Sequence, residues 1–110
     1  MSRFAPPPRS PNCVSSRADA TDKEHHIAPL QGTTLDAVRA HMATLPRVKL
    51  EEEADDYLHY VVISAIFRFR DDVRFEQEGD VVHVRSSSRV GHSDLGANRK
   101  RVEAIRAALA

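Results

Sequence analysis

Hydroxyl and guanidinium groups are concentrated in residues 85–101, which read RSSSRVGHSDLGANRKR. Guanidinium groups such as those of Arg85 and Arg89 can hold a carboxylate or a phosphate through two parallel hydrogen bonds. The stretch reads as a strand end, a polar junction that contains residues 91–94, and a helix start. The unpaired backbone N–H groups of residues 95–97 at that helix start would point at an anion. Gly91 and Gly96 would let a ligand approach the backbone. The segment therefore predicts an anion-binding site.

The side chains that we expect to contact such a ligand all belong to residues 85–101. They are Arg85, Ser87, Arg89, Ser93, Asp94, Asn98 and Arg99. Their spacing matches neither a Walker loop nor a dinucleotide-binding fingerprint, so it indicates no reaction. We predict no catalytic residue, no metal site and no cofactor.

A purely structural role for the same residues is the alternative. In that interpretation Asp94 caps the helix and Asn98 is a buried, hydrogen-bonded amide. Arg85 and Arg89 then form ordinary ion pairs across the sheet. Their carboxylate partners would be Asp71, Asp72 or Glu76.

Cys13 is the single cysteine, which excludes an intramolecular disulfide. Beside Asn12 and several hydroxyl groups, its thiol could act as a nucleophile if a base lowered its pKa. No histidine stands at an interpretable local spacing, so we expect a small apolar side chain that fixes its segment to the domain. Cys13, His25 and His26 also lack the four ligands and the spacing of structural zinc sites.

Two helices are predicted from apolar residues at helical spacing. The first covers residues 33–45, with Thr33 and Asp36 resembling a capping box at its start, and it ends at Pro46. The second begins at Ser93 or Asp94, which are both good N-caps. One face of this helix carries the apolar stripe of Leu95, Val102, Ile105 and Leu109, with Asn98 at helical spacing among them. Because Asn98 is polar, we expect it to be buried with its amide hydrogen-bonded.

Four strands are predicted between the helices. They cover residues 47–53, 57–69, 73–78 and 81–88. Short turns join them, so they form an antiparallel meander. The resulting order α-β-β-β-β-α predicts an α+β domain of two layers, with the last helix on the sheet.

The first 32 residues begin with a proline-rich stretch and predict a largely irregular arm, so residues 33–110 form a single α+β domain. Roughly 80 residues is near the lower limit for an independent domain. A homodimer, or docking of the arm on the domain, would add buried surface.

Charge and hydropathy exclude several classes of protein. Lysine and arginine balance aspartate and glutamate, 16 against 16, and a neutral chain is a poor non-specific nucleic-acid binder. No apolar run is long enough for a membrane span. The first residues lack the apolar core of a signal peptide, so the sequence as written predicts a cytoplasmic location.

Three stretches resemble the domain of unknown function 1499 family. They are SPNCVSS at 10–16, FRFRDDVRF at 67–75 and VRSSSRVGHSDLGANRKRVEAIR at 84–106. His92 stands where the family pattern has tyrosine, and Arg70 where it has an apolar residue. The resemblance implies a bacterial protein without an established activity. Because many family members carry a signal or membrane segment, it leaves a cell-envelope location open.

These observations predict a non-enzymatic module that binds an anionic ligand or a protein partner at residues 85–101. A thiol-dependent enzyme that uses Cys13 is one alternative, and an envelope-associated structural module is another. Two features separate these functions: the reactivity of Cys13, and the docking of the arm, which contact between residues 10–16 and residues 85–101 would show.

Overall fold

The computed structural model describes residues 2–110, which form an α+β fold with two helices and one antiparallel sheet of six strands. In chain order the elements are β1 (Cys13–Ser15), β2 (Leu30–Gln31), α1 (Leu35–Met42), β3 (Val48–Ala54), β4 (Tyr57–Ile63), β5 (Arg70–Glu78), β6 (Val81–Ser88) and α2 (Ala97–Leu109). The strand order is β1-β6-β5-β4-β3, and β2 also pairs with β6.

The predicted meander is confirmed in β3 to β6, which pair successively and antiparallel. The predicted number of four strands is wrong, because β1 and β2 from the first 32 residues both pair with β6. These two strands have three and two residues, which is too short to produce a recognisable alternation of apolar residues. Their pairing adds two short pieces of the predicted arm, residues 13–15 and 30–31, to the sheet beside β6.

One face of the sheet is apolar because alternate residues of β4, β5 and β6 are apolar. Both helices bury their apolar stripes in the same cluster. Its members are Val14, Ile27, Leu30, Leu35, Val38, Met42, Leu58, Tyr60, Val73, Phe75, Val82, Val84, Val102 and Ile105. Neither helix of residues 2–110 has the length and hydropathy that crossing a bilayer requires.

The strand predicted over 57–69 is too long. β4 ends at Ile63, and residues 64–69 form a loop that is closed by a hydrogen bond of 2.9 Å from Ser64 N to Phe69 O. The apolar side chains that suggested a buried strand project from this loop instead. Ile66, Phe67 and Phe69 are 83%, 74% and 52% exposed.

Both helices are shorter than predicted. Helix α1 ends at Met42, and its N-cap is Thr34 rather than Thr33, with Thr34 Oγ1 accepting a hydrogen bond from Ala37 N. Helix α2 starts at Ala97, three residues after Asp94. Leu95 and Gly96 have φ angles of 54° and 81°, and two consecutive left-handed residues cannot continue a right-handed helix.

The N-terminal residues cross the sheet face that is opposite to the helices. Glu76 and Arg85 alternate with core residues of their strands, so their side chains lie on that opposite face. Glu76 is buried and accepts three hydrogen bonds, from Ser2 Oγ at 2.9 Å, Arg3 N at 2.8 Å and Arg17 Nε at 2.7 Å. Burial opposes ionisation, yet these hydrogen bonds hold the pKa of Glu76 below its ordinary value.

The substitution Glu76→Gln should release the N-terminal segment. The amide would present N–H groups to donors, so we expect the free energy of unfolding to fall by about 1–3 kcal/mol. Trypsin should also cleave faster after Arg9 in the folded variant. Urea unfolding and limited proteolysis measure both effects. Glu52→Gln on the exposed face of β3 is the control, and identical behaviour of the two variants would contradict this role of Glu76.

Candidate functional site

Asn98 is completely buried in the first turn of α2, as its position in the apolar stripe predicts. Its Oδ1 accepts hydrogen bonds from Ser86 Oγ at 2.6 Å and Arg101 Nη1 at 2.8 Å. Its Nδ2 lies within hydrogen-bonding distance of three oxygens, namely Asp94 Oδ2 at 2.7 Å, Ser88 Oγ at 2.9 Å and the carbonyl of Asn12 at 3.1 Å. One amide therefore connects β6, the junction, α2 and the residue before β1.

Ser93 and Asp94 accept hydrogen bonds from the N–H groups of residues 95–97, which were predicted to point at a ligand. The Oδ1 of Asp94 accepts from Gly96 N at 2.8 Å, and its Oδ2 accepts from Asn98 N at 3.1 Å. Leu95 N donates to Ser93 Oγ, and Ala97 N donates to Asp94 O. The prediction of free N–H groups at 95–97 is wrong. Although burial opposes it, hydrogen bonding from Asn98 and Gly96 lowers the pKa of Asp94.

Arg89 forms the ion pair that the structural alternative predicts. Its Nε donates to Asp72 Oδ2 and its Nη2 donates to Asp72 Oδ1, both at 2.9 Å. His59 Nε2 lies 2.7 Å from Asp72 Oδ1 on the same face of the sheet. Burial raises the pKa of Asp72, but the hydrogen bonds from Arg89 and His59 outweigh this effect and lower the pKa to about 2.

Arg85 and Arg99 bind backbone carbonyls of the N-terminal segment. Arg85 Nε donates to Ala5 O at 3.0 Å, and its Nη1 donates to Ser87 Oγ at 2.9 Å. Arg99 Nη2 contacts the carbonyls of Lys23, Glu24 and His26 at 3.4, 3.2 and 3.0 Å. The carboxylate partner predicted for Arg85 in the structural alternative is wrong, because its guanidinium contacts carbonyl and hydroxyl oxygens.

A cavity of about 380 Å³ lies between the 64–69 loop and the junction. It is lined by Ser64, Phe67, Phe69, Asp71, Ser88, Val90, Gly91, Ser93, Asp94, Leu95, Ala97 and Arg101. Of the predicted site residues, it includes Ser93 and Asp94. The charged groups of its wall are already engaged: Arg101 Nη2 lies 2.7 Å from Asp71 Oδ2, and Asp94 binds the N–H groups described above. We call this cavity the junction pocket.

The rim of the junction pocket is apolar. Phe67 and Phe69 stack with ring centroids 5.5 Å apart, and Val90 and Leu95 face them from the junction. Leu95 is 87% exposed, so its predicted place in the buried stripe of α2 is wrong. Sequence patterns did not assign Phe67, Phe69 or Val90 to the site. The sequence did contain one signal that residues 64–69 leave the strand. The predicted strand has 13 residues, which is about twice the usual strand length.

The other predicted site residues lie outside the junction pocket. Arg85 and Ser87 project toward the opposite face of the sheet, beside the N-terminal segment. Arg99 borders a second cavity of about 160 Å³, together with Ser93 and Asp94. That volume is below the 300–1,000 Å³ that is usual for ligand sites.

Cys13 is completely buried in β1, where it pairs with Ser87. Burial raises the pKa of its thiol, and this effect exceeds the opposing influence of Arg85. Its segment does contact the junction, since Asn12 Nδ2 donates to Gly91 O at 2.6 Å. The contact brings the Asn12 amide, rather than an accessible thiolate, to the junction.

Residues 3–109 match the model of a family described as "Protein of unknown function (DUF1499)". No curated protein and no solved structure matches the chain. The long motif at 84–106 covers the last five residues of β6, the junction and most of α2.

Removal of the Asn98 amide should destabilise the fold. Asn98→Ala removes one buried hydrogen-bond partner each from Ser86, Arg101 and Asp94, so we expect a loss of about 1–3 kcal/mol of unfolding free energy. Asn98→Leu should cost at least as much, because the surrounding groups are polar or charged. Urea unfolding measures the loss, with Lys100→Ala on the exposed face of α2 as control. Unchanged midpoints for both Asn98 variants would contradict this account.

The low pKa of Asp72 predicts a specific acid dependence of stability. Its folded pKa of about 2 lies below the ordinary 3.8, so its contribution is present above about pH 4 and lost as the pH falls toward 2. The shift corresponds to about 2 kcal/mol. The difference in unfolding free energy between the wild type and Asp72→Asn should shrink by that amount over this range. Asp55→Asn, in the exposed β3–β4 turn, is the control variant. A constant gap for Asp72→Asn over this range would refute the assignment.

Proposed function

The chain belongs to the DUF1499 family of proteins of unknown function, and from its junction pocket we propose that it is a non-enzymatic binding module for an anionic ligand with an apolar part. The observation that carries this proposal is the cavity of about 380 Å³ with an apolar rim at the start of α2. Its volume lies within the range of small-molecule sites.

The apolar part of the ligand would occupy the space between the 64–69 loop and the junction. The side chains of Phe67, Phe69, Val90 and Leu95 are exposed. Covering one such side chain contributes about 1.5–3 kcal/mol when burial is complete. A short alkyl chain that contacts both sides of the rim would therefore bind without any further polar contact inside the pocket.

The anionic part of the ligand would stay at the mouth of the pocket. The nearby carboxylates of Asp71 and Asp72 are paired with arginines. Arg68, Arg70 and Lys100 are exposed and form no side-chain hydrogen bond or ion pair within residues 2–110. The outward-facing charge at this end of the molecule is therefore positive, which favours a carboxylate or phosphate group.

Binding without a thiol reaction agrees with the surroundings of Cys13. A thiol nucleophile must reach its substrate as a thiolate. Cys13 is buried, its pKa is raised, and it does not line the junction pocket. The thiol-dependent alternative therefore receives no support from the geometry.

Titration with octyl phosphate tests the proposal. We expect saturable shifts of backbone amide NMR signals in residues 64–71 and 88–97, and weaker binding of the neutral octanol. Ala97→Leu fills the pocket and should raise the Kd about tenfold, equivalent to about 1.4 kcal/mol. Ala104→Leu makes the same change on the exposed face of α2 and serves as control. Shifts confined to other regions, or equal affinity of the two variants, would contradict the proposal.

The second candidate function is the formation of a homodimer through the same rim. Phe67 and Phe69 are exposed beside Arg68, and both phenylalanine and arginine are enriched in protein interfaces. A sedimentation coefficient that rises with protein concentration would support it, provided that Phe67→Ser abolishes the rise. A constant sedimentation coefficient would eliminate this candidate.

A further inference from the structure

Ile66 shows that the apolar surface extends beyond the junction pocket. Its side chain is 83% exposed at the tip of the 64–69 loop, yet it does not line the cavity. A ligand enclosed by the pocket would leave Ile66 in water. Phe67 and Leu95, which line the pocket from two different loops, have a similar exposure of 74% and 87%. The apolar surface at this end therefore suits a larger partner than a single small molecule.

The two segments that carry this projecting surface have an excess of positive charge. Residues 64–72 and 88–101 contain six lysines or arginines against three aspartates and no glutamate. All three aspartates are engaged internally, Asp71 with Arg101, Asp72 with Arg89, and Asp94 with backbone N–H groups. Three of the cations, namely Arg68, Arg70 and Lys100, are exposed and make no side-chain contact of this kind within the described residues 2–110.

We propose that this end of the molecule docks on an anionic lipid bilayer. Ile66, Phe67 and Leu95 would enter the head-group region, and the exposed cations beside them would bind lipid phosphate groups. Apolar side chains flanked by lysine and arginine are the chemistry by which proteins lie on anionic membranes. The inference rests on the proposed function, because an anionic lipid is a ligand with an apolar part.

The arrangement favours a bilayer over a folded protein partner for a geometric reason. The most exposed apolar side chains stand at the tips of two separate loops, whereas a protein interface buries them in complementary pockets. A bilayer needs no complementary shape, and it offers phosphate groups at every position around the inserted tips. Arg68, between Phe67 and Phe69 in the same loop, is well placed to contact those groups.

Vesicle sedimentation tests this docking directly. The full chain should sediment with vesicles of phosphatidylcholine and phosphatidylglycerol but not with phosphatidylcholine alone, and added NaCl should weaken the binding. Ile66→Gln and Arg68→Glu should each lower the partition coefficient about tenfold. Leu50→Gln and Lys49→Glu make the same changes on the exposed part of β3 and should bind as the wild type does. Equal urea midpoints would show that every variant is folded.

The outcomes separate this inference from the proposed function. Saturable binding of octyl phosphate without vesicle binding would overturn membrane docking and leave the pocket proposal intact. Vesicle binding that Ile66→Gln weakens, without binding of monomeric octyl phosphate, would support docking and overturn the pocket. Docking would be overturned if neither Ile66→Gln nor Arg68→Glu changed vesicle binding. It would also be overturned if the protein self-associated through this end and did not bind vesicles.

Discussion

The side-chain amide of Asn98 is the contact on which the junction depends. It is fully buried, and its partners come from β6, the junction, α2 and the residue before β1. Because a buried amide without partners is costly, these segments must be assembled together to satisfy it. Arg101 extends the same cluster to Asp71 at the start of β5. The polar groups of the junction therefore stabilise the fold, and the surface that remains for a ligand is the apolar rim beside them.

Arginine side chains fix the N-terminal segment to the rest of the domain. Arg85, Arg99 and Arg106 donate to backbone carbonyls at 5–6, 23–26 and 28–29, so that β1 and β2 are held at the sheet edge. The planar guanidinium group can bind two oxygens at once, whether they belong to a phosphate, a carboxylate or two carbonyls. An arginine-rich motif alone therefore predicts strong acceptors nearby without identifying them.

Local periodicity predicted the meander, both helices and the burial of Asn98, because each depends on neighbours within the same element. The strands β1 and β2 were missed because their pairing with β6 joins residues far apart in the sequence. The loop at 64–69 was assigned to a strand because its apolar residues are typical of one. Leu95 was placed in the helix stripe because its spacing fits, although its left-handed backbone turns it into solvent. The misplaced residues Phe67, Phe69 and Leu95 form the pocket rim together with Val90.

The central claim is that the junction uses its polar groups internally and offers its apolar rim to a ligand. Intermolecular nuclear Overhauser effects test it most directly, measured on the protein saturated with octyl phosphate. The account predicts effects between the alkyl protons and the methyl groups of Val90 and Leu95, with the Asn98 side-chain amide signals retained. Effects to methyl groups of α1 in place of the rim, or loss of the Asn98 amide signals on binding, would contradict it.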